Sequence, residues 1–194
     1  VRDGAWSQSP DFSFWDFPLV ELRGLTLGLV GYGRISRRVA EIALAFGMKV
    51  QFHSRHAAGE AGSFVSQDEL YSTSDIVSLH CALTRETKSL IKATTLNRMK
   101  RSAFLINTSR GALVDEIALY QALNARVIAG AALDVLGEEP PAAGHLLSAC
   151  PNCIITPHMA WSALAARRRL MQVTVAYVRG FISGMAINVV NASA

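Results

Sequence analysis

The chain has 194 residues, 51% of them hydrophobic, and 19 Lys and Arg against 15 Asp and Glu give a net charge of +4. This length predicts one domain with an ample core, alone or with part of a second. The charge suits an anionic small ligand and is too small to indicate nucleic acid. No apolar stretch reaches the roughly 18 to 20 residues that a membrane span requires. For these two reasons, neither nucleic acid nor a membrane is expected as a partner. We expect no secretory leader, and the odd number of cysteines favours a reducing compartment, the cytoplasm.

Residues 1–24 combine aromatic side chains with two prolines and show no helical or strand period. The aromatic residues are Trp6, Phe12, Phe14, Trp15 and Phe17. Because aromatic side chains favour interfaces, we predict an arm that lies on a second copy of the chain and forms a homodimer. The alternative is an arm folded back on its own domain.

A glycine-rich turn joins the first predicted strand to the first predicted helix. It reads Gly31-Tyr32-Gly33-Arg34-Ile35-Ser36. The first glycine permits a tight turn, and the second lets the backbone approach a pyrophosphate. The helix N-terminus then offers N–H groups and a positive dipole end to the phosphates. Ser36 stands where a third glycine is usual, so we expect weaker cofactor binding with the fold retained.

The segment after the second predicted strand reads His53-Ser54-Arg55-His56 and has no acidic residue. Sites for NAD place a carboxylate near the ribose 2′-hydroxyl, whereas an arginine can accommodate a 2′-phosphate. Ser54 and Arg55 are therefore expected to bind that phosphate. NADP(H) is the predicted cofactor, with NAD(H) as the second choice. The alternative is that Arg55 is an ordinary loop residue.

Apolar strands alternate with helices from residue 25 onward, which is typical of a parallel sheet covered by helices on both faces. Strands are predicted at 25–30, 49–53, 76–79, 103–106, 127–131 and 154–155. Helices are predicted at 35–46, 68–71, 94–99, from an Asp115 cap to about residue 124, and at 163–183, where apolar residues recur at i, i+3 and i+4.

The predicted fold is α/β, a doubly wound parallel sheet of the Rossmann type with an N-terminal arm and a long C-terminal helix. We divide the chain into the arm (1–24), a dinucleotide-binding domain (25–160) and the C-terminal helix region (161–194). The last region is expected to return to a substrate domain.

Three chemically useful side chains follow predicted strands, namely Arg110, Glu139 and His158. Ligands of doubly wound sheets bind at the carboxyl ends of the strands. An arginine can bind a substrate carboxylate, and a histidine can transfer a proton near neutral pH while a neighbouring carboxylate fixes its tautomer. Singly, each has an ordinary structural explanation. Together, beside a dinucleotide motif, they favour an active site.

Cys150 and Cys153 are spaced as C-x-x-C. The pair has no second C-x-x-C to complete a zinc site, and it precedes a predicted strand rather than a helix. We interpret it as a coincidence and expect no metal site.

Five stretches resemble the D-isomer-specific 2-hydroxyacid dehydrogenase family, and they follow the family's order along nearly the whole chain. They are Gly31 to Ile35, Ser74 to His80, Leu105 to Asp115, Ala131 to Pro140, and Thr156-Pro157-His158. Trp161 and residues 187–191 are most similar to the branch of glyoxylate and hydroxypyruvate reductases, also called glycerate dehydrogenases.

The resemblance implies an oxidoreductase that transfers a hydride between NADP(H) and a small 2-oxo or 2-hydroxy acid. It implies that Arg110 binds the substrate, that His158 is the general acid and that Glu139 orients His158. It also implies that Asp134 lies near the nicotinamide ring. The complete set of expected cofactor-binding residues is Gly31, Tyr32, Gly33, Arg34, Ile35, Ser54, Arg55, Cys81, Thr108 and Asp134.

The chain departs from the family in one large respect. The substrate-binding half-domain that the family carries ahead of the segment equivalent to Val1 is absent from this sequence, which does not begin with Met. We expect the missing lid to admit water and to impair turnover. The alternative function is a non-catalytic nucleotide-binding scaffold, like the corepressors that resemble this family.

Overall fold

A seven-stranded, all-parallel sheet forms the centre of the computed structural model, which describes residues 1–16, 18–55 and 62–190. Phe17, His56 and residues 191–194, which the sequence predictions touched, lie outside the described residues. The strands are β1 Thr26–Val30, β2 Lys49–His53, β3 Ser63–Phe64, β4 Ile76–Leu79, β5 Phe104–Asn107, β6 Gly130–Leu133 and β7 Cys153–Ile155. The helices are α1 Arg34–Ala45, α2 Gln67–Thr73, α3 Ala93–Leu96, α4 Glu116–Asn124 and α5 Leu164–Ile182, with 3₁₀ turns at Gly111–Leu113 and Leu146–Ala149.

The strand order is β3-β2-β1-β4-β5-β6-β7, and every pairing is parallel. β1 pairs with both β2 and β4, so β2 and β3 lie on one side of β1 and the later strands lie on the other side. Such a switch point opens a crevice at the carboxyl ends of the two strands, where ligands bind. The predicted doubly wound α/β fold is confirmed.

Two apolar clusters cover the sheet, and β1 contributes to both. Val30 belongs to the larger cluster, whereas Leu27 and Leu29 belong to the smaller one with Phe52 of β2. Since alternate residues of a strand point to opposite faces, the two clusters lie on opposite sides of the sheet. Burial on both sides explains why these strands read as apolar runs rather than as alternating patterns.

The fifth predicted strand was wrong in its position. Residues 127–131 were predicted, but β6 is Gly130–Leu133. The backbone of Arg126 is left-handed, with φ of 52°, and the Val127 N–H donates to the Ala122 carbonyl at the end of α4. Ile128 is fully buried in this connection, so its apolar character produced a strand signal outside the sheet.

Two further elements differ from the predictions. The helix predicted at 94–99 shortens to the four residues of α3, and the two-residue strand β3 was missed because both of its residues are exposed. The other predicted strands and helices begin and end within two residues of the observed ones.

The arm and α5 expose most of their apolar surface. Phe12 is 91% exposed and Trp15 is 70% exposed, so these two side chains do not pack on the domain, and the contact of the arm with a second copy stays a prediction. α5 has no buried residue, although Leu170 and Phe181 are among its apolar side chains. Within the described part of the chain, no helix combines the length and the apolar character that crossing a membrane requires.

Ser36 is fully buried in α1, and its Oγ has no hydrogen-bond partner among the described residues. An unpaired buried hydroxyl costs about 1–3 kcal/mol, and alanine is the better helix former. We therefore predict that Ser36→Ala raises the free energy of unfolding by about 1 kcal/mol, measured by urea titration.

Ser74→Ala is the matched control for this prediction. Ser74 is equally buried, but its Oγ donates to the Leu70 carbonyl over 2.7 Å and accepts from Gln51 Nε2 over 2.9 Å. Its removal should lower stability. A loss of stability in both variants would contradict the prediction for Ser36.

Candidate active site

The turn between β1 and α1 has the geometry of a phosphate cradle. Gly31 is left-handed, with φ of 90°, and a Cβ there would lie 2.7 Å from the backbone nitrogen of Cys81. Gly33 is the N-cap of α1, where none of the described side chains caps the helix, and among the described residues a Cβ at Gly33 would meet nothing within 4 Å. Open space therefore lies beside the uncapped first turn, and the residues present fit a bound pyrophosphate.

A cavity of about 440 Å³ lies beside this turn. It brings together six of the residues predicted to bind the cofactor: Gly31, Tyr32, Gly33, Ser54, Arg55 and Cys81. Arg34 and Ile35 form the first turn of α1 next to it, and Thr108 is exposed just after β5. Sequence analysis missed His53, His80, Glu86 and Thr87, which also line the cavity.

Opposite charges face the same cavity. Arg55 and Glu86 both line it, and Glu86 comes from a segment more than thirty positions further along the chain. A 2.6 Å hydrogen bond from the Thr84 hydroxyl is the main reason that the pKa of Glu86 lies below its usual value, and the Arg55 charge adds to the effect. Burial raises the pKa of the Cys81 thiol, which Arg55 partly offsets.

His158 and Glu139 form a hydrogen-bonded pair outside this cavity. The imidazole Nδ1 lies 2.6 Å from Glu139 Oε2, and Glu139 Oε1 accepts the Leu136 N–H over 2.8 Å. The hydrogen bond from His158 contributes most, and that from the Leu136 N–H adds to it, so the pKa of Glu139 lies below its usual range. An ionised carboxylate can only accept, so Nδ1 carries the proton that joins the pair. The other ring nitrogen, Nε2, is then the atom for proton exchange with a substrate.

The backbone of His158 is strained, and Asp134 holds the loop around it. His158 is left-handed, with φ of 50°. The Asp134 carboxylate accepts the N–H groups of Met159 and Ala160, each over 2.9 Å, and the Thr156 hydroxyl over 2.5 Å. Burial alone would raise the pKa of Asp134, but these hydrogen bonds outweigh it and lower the pKa. Sequence analysis did not foresee this anchoring. The contact of Asp134 with a nicotinamide ring stays a prediction.

Arg110 shares a small cavity of about 170 Å³ with Glu139 and His158, so the three predicted catalytic residues lie together. Its loop is folded by Asn107, whose side chain donates to the Arg110 carbonyl and accepts the Ser109 N–H. Asn107 is fully buried at the end of β5. Gly111 then packs against the loop that carries Glu139, because a Cβ there would lie 1.9 Å from the Leu136 carbonyl.

Among residues 1–16, 18–55 and 62–190, no three His, Cys, Asp or Glu side chains gather as metal ligands. The candidate catalytic side chains are a guanidinium, a carboxylate and an imidazole. Arg110 can bind an anion, Glu139 can orient a ring and His158 can move a proton.

Asp134→Asn tests the anchor of the His158 loop. An amide cannot accept at both oxygen positions, so one backbone N–H loses its partner, and we predict a loss of about 1–3 kcal/mol of stability at pH 7. Because the folded pKa of Asp134 is lowered, its contribution is complete above the unfolded value of about 3.9. The contribution is lost as the pH falls through the folded value. Urea titrations should show the difference from the parent chain shrinking below about pH 4.

Asp115→Asn is the control for Asp134→Asn. Asp115 caps α4 by accepting the Ala118 N–H over 3.0 Å, and asparagine caps helices equally well. The free energy of unfolding of Asp115→Asn should equal that of the parent chain both at pH 7 and below about pH 4. Equal stability of Asp134→Asn and the parent at pH 7 would contradict the anchoring role.

Comparison with known proteins shows the family. The model of "D-isomer specific 2-hydroxyacid dehydrogenase, NAD binding domain" matches residues 1–160. Hydroxypyruvate reductase of Blautia hydrogenotrophica is 40% identical over 195 residues, covering 98% of this chain and 61% of that protein. Glycerate dehydrogenase of Methylorubrum extorquens is 42% identical over 194 residues, covering 99% of this chain and 61% of that protein.

The solved structures show the same relationship. D-lactate dehydrogenase with NAD⁺ from Lactobacillus jensenii superposes with a TM-score of 0.86 at 32% identity, covering 94% of this chain and 60% of that one. This chain thus spans about three-fifths of the length of the relatives that it matches. The predicted resemblance is confirmed, and the chain belongs to the D-isomer specific 2-hydroxyacid dehydrogenase family.

Proposed function

We propose that this chain carries the cofactor site and the proton-transfer residues of a reductase. The enzyme transfers a hydride between NADP(H) and a small 2-oxo or 2-hydroxy acid, such as glyoxylate or hydroxypyruvate. The observation that carries the proposal is the 2.6 Å contact between His158 and Glu139 beside Arg110. The names of the hydroxypyruvate reductase and glycerate dehydrogenase relatives support this substrate class. Nothing in those names favours the scaffold alternative.

The proposed reaction divides the work among three side chains. The Arg110 guanidinium binds the substrate carboxylate with its planar fork. A bound reduced nicotinamide supplies the hydride that reaches C2 of the substrate. The His158 Nε2–H gives its proton to the carbonyl oxygen as negative charge develops there, and Glu139 orients the ring and stabilises the imidazolium. In the oxidation direction, the neutral ring takes the proton back.

Turnover is the test of this function. The chain is mixed with NADPH and either glyoxylate or hydroxypyruvate, and absorbance at 340 nm is followed. We expect His158→Ala to lower the rate by about 10²- to 10⁴-fold, the usual contribution of a general acid, while NADPH still binds. An equal rate in the variant would contradict the role of His158.

The parent chain has two further informative outcomes in this assay. If it binds NADPH without turnover, catalysis needs the additional length that the relatives possess, and the assay is repeated with that segment supplied. If it does not bind NADPH or NADH at all, the proposal is wrong.

Arg55 and Ser54 carry the proposed preference for NADP(H). Both line the cavity next to the phosphate cradle. A charge-assisted hydrogen bond contributes about 1.5–3 kcal/mol, so we predict that NADPH binds roughly 10- to 100-fold more tightly than NADH. Arg55→Asp should narrow or reverse this ratio of Kd values, measured by fluorescence titration of each cofactor.

Arg98→Ala is the control for Arg55→Asp. Arg98 also carries an exposed guanidinium, but it forms an ion pair with Asp68 outside the cavity. Its removal should leave both Kd values unchanged. Equal affinities of the parent chain for NADPH and NADH would contradict the preference.

A homodimer through the arm is the proposed assembly. The exposed side chains of Phe12 and Trp15 support it, since large apolar surfaces of this kind mark interfaces. We predict a light-scattering mass of twice 20.9 kDa for the parent chain. Replacing both residues with Asp should halve that mass without loss of cofactor binding. A parent chain of monomeric mass would contradict this assembly.

The proposed location is the cytoplasm, and the free thiols of Cys81, Cys150 and Cys153 support it. Burial, with a smaller contribution from Cys150, raises the pKa of Cys153 to about 11. Such a thiol is a poor nucleophile, so the C-x-x-C pair is not favoured as a redox site. Free thiols fit a reducing compartment.

A further inference from the structure

A second pair of carboxylate and imidazole lies behind the active site. Glu116 Oε2 is 3.3 Å from His145 Nε2, and Glu116 Oε1 accepts the Gly137 N–H over 2.8 Å. The two side chains are largely buried, with 21% and 13% of their surfaces exposed. Neither residue takes part in the reaction proposed above.

The pair holds the loop that carries Glu139. This loop leaves β6 at Asp134 and runs to His145, so Glu116 binds one point near its start and one at its end. The peptide that Glu116 binds follows directly on Leu136, whose own N–H donates to Glu139 Oε1. A shift of Gly137 therefore moves the support of the Glu139 carboxylate.

Glu116 is a firm point of attachment because it opens α4. The preceding residue, Asp115, caps that helix through the Ala118 N–H. Gly111 fixes the same region from the other side, since its missing Cβ lets the Leu136 carbonyl approach the backbone next to Arg110. The loop of Arg110 thus meets the loop of Glu139 through the Gly111–Leu136 contact, while Glu116 binds the next peptide of the Glu139 loop at Gly137.

The pair is an inefficient device for stability alone. His145 Nδ1 is buried, and within the described residues it has no hydrogen-bond partner. A buried polar group without a partner costs free energy, and a buried ion pair often stabilises no better than apolar side chains of the same size. The pair instead fixes the orientation of the Gly137 peptide, because the hydrogen bond from its N–H to Glu116 has a preferred angle.

We propose that Glu116 and His145 are positioning residues that set the orientation of Glu139, and through it that of the His158 ring. This inference rests on the proposed function of the His158–Glu139 pair. Loss of either residue should therefore affect proton transfer and leave substrate and cofactor binding unchanged. Proton transfer depends on the His158 ring, whereas substrate binding through Arg110 and cofactor binding in the other cavity do not.

The first experiment needs no turnover. In the ¹⁵N-labelled chain, the His158 Nδ1–H signal is assigned by its absence from His158→Ala, and its protection from solvent exchange is measured by NMR. We expect Glu116→Ala and His145→Ala to lose this protection. Glu116→Gln keeps an oxygen for the Gly137 N–H and should retain it. Glu138→Ala is the control, because Glu138 lies beside Glu139 in the same loop and is exposed.

The second experiment is kinetic. Since misplacement by about 1 Å can cost 10²-fold in rate, we expect Glu116→Ala to lower kcat by about tenfold or more. The substrate KM and the NADPH Kd should stay within about twofold of the parent values, and Glu116→Gln should restore kcat. An unchanged His158 signal in Glu116→Ala would overturn the proposal. Parallel losses of kcat, cofactor affinity and unfolding free energy would also overturn it, because they indicate a structural role only.

The two proposals fail in different ways. A parent chain that keeps the protected His158 signal, yet gives no turnover even with the additional segment supplied, counts against the reductase function alone. Normal turnover in the parent with no effect of Glu116→Ala on the signal or on kcat counts against the positioning role alone.

Discussion

The buried carboxylate of Asp134 is the constraint on which the candidate active site depends. It stands at the end of β6 and holds the chain that leaves β7, through Thr156, Met159 and Ala160. Hydrogen bonds to an ionised acceptor are stronger than neutral ones, and here three of them converge on one group. They offset the cost of the left-handed backbone at His158. In this backbone conformation the imidazole Nδ1 lies 2.6 Å from Glu139 Oε2.

The remaining geometry follows from backbone contacts that admit no side chain. Gly31 lets β1 turn against the end of β4, and Gly111 lets the loop after β5 touch the loop after β6. The first contact shapes the cofactor cradle. The second brings Arg110 within one cavity of Glu139 and His158. Residues that follow six of the strands, β1, β2, β4, β5, β6 and β7, thereby line the two cavities along one edge of the sheet, as its parallel arrangement allows.

Sequence reasoning succeeded where the signal was local. Apolar runs located most of the strands, and the three catalytic candidates, whose roles stay predictions, were chosen because each lies in the segment that follows a strand. It failed for residues 127–129, since the burial of Ile128 in a connection resembles the burial of a strand residue. Glu86 was missed because it reaches the cavity from a segment distant in sequence. The anchoring by Asp134 and the Glu116–His145 contact were equally out of reach, because each joins residues more than twenty positions apart.

The presence of Glu86 in the cofactor cavity changes how selectivity arises there. Arg55 does not meet the ligand as an isolated cation, because an acidic side chain already acts on it. Arg55 attracts a 2′-phosphate and Glu86 repels it, whereas an uncharged 2′-hydroxyl interacts only weakly with either charge. The proposed preference for NADP(H) is then the attraction to Arg55 less the repulsion from Glu86. Dissolved salt screens both interactions together, so we expect the proposed preference to vary with ionic strength.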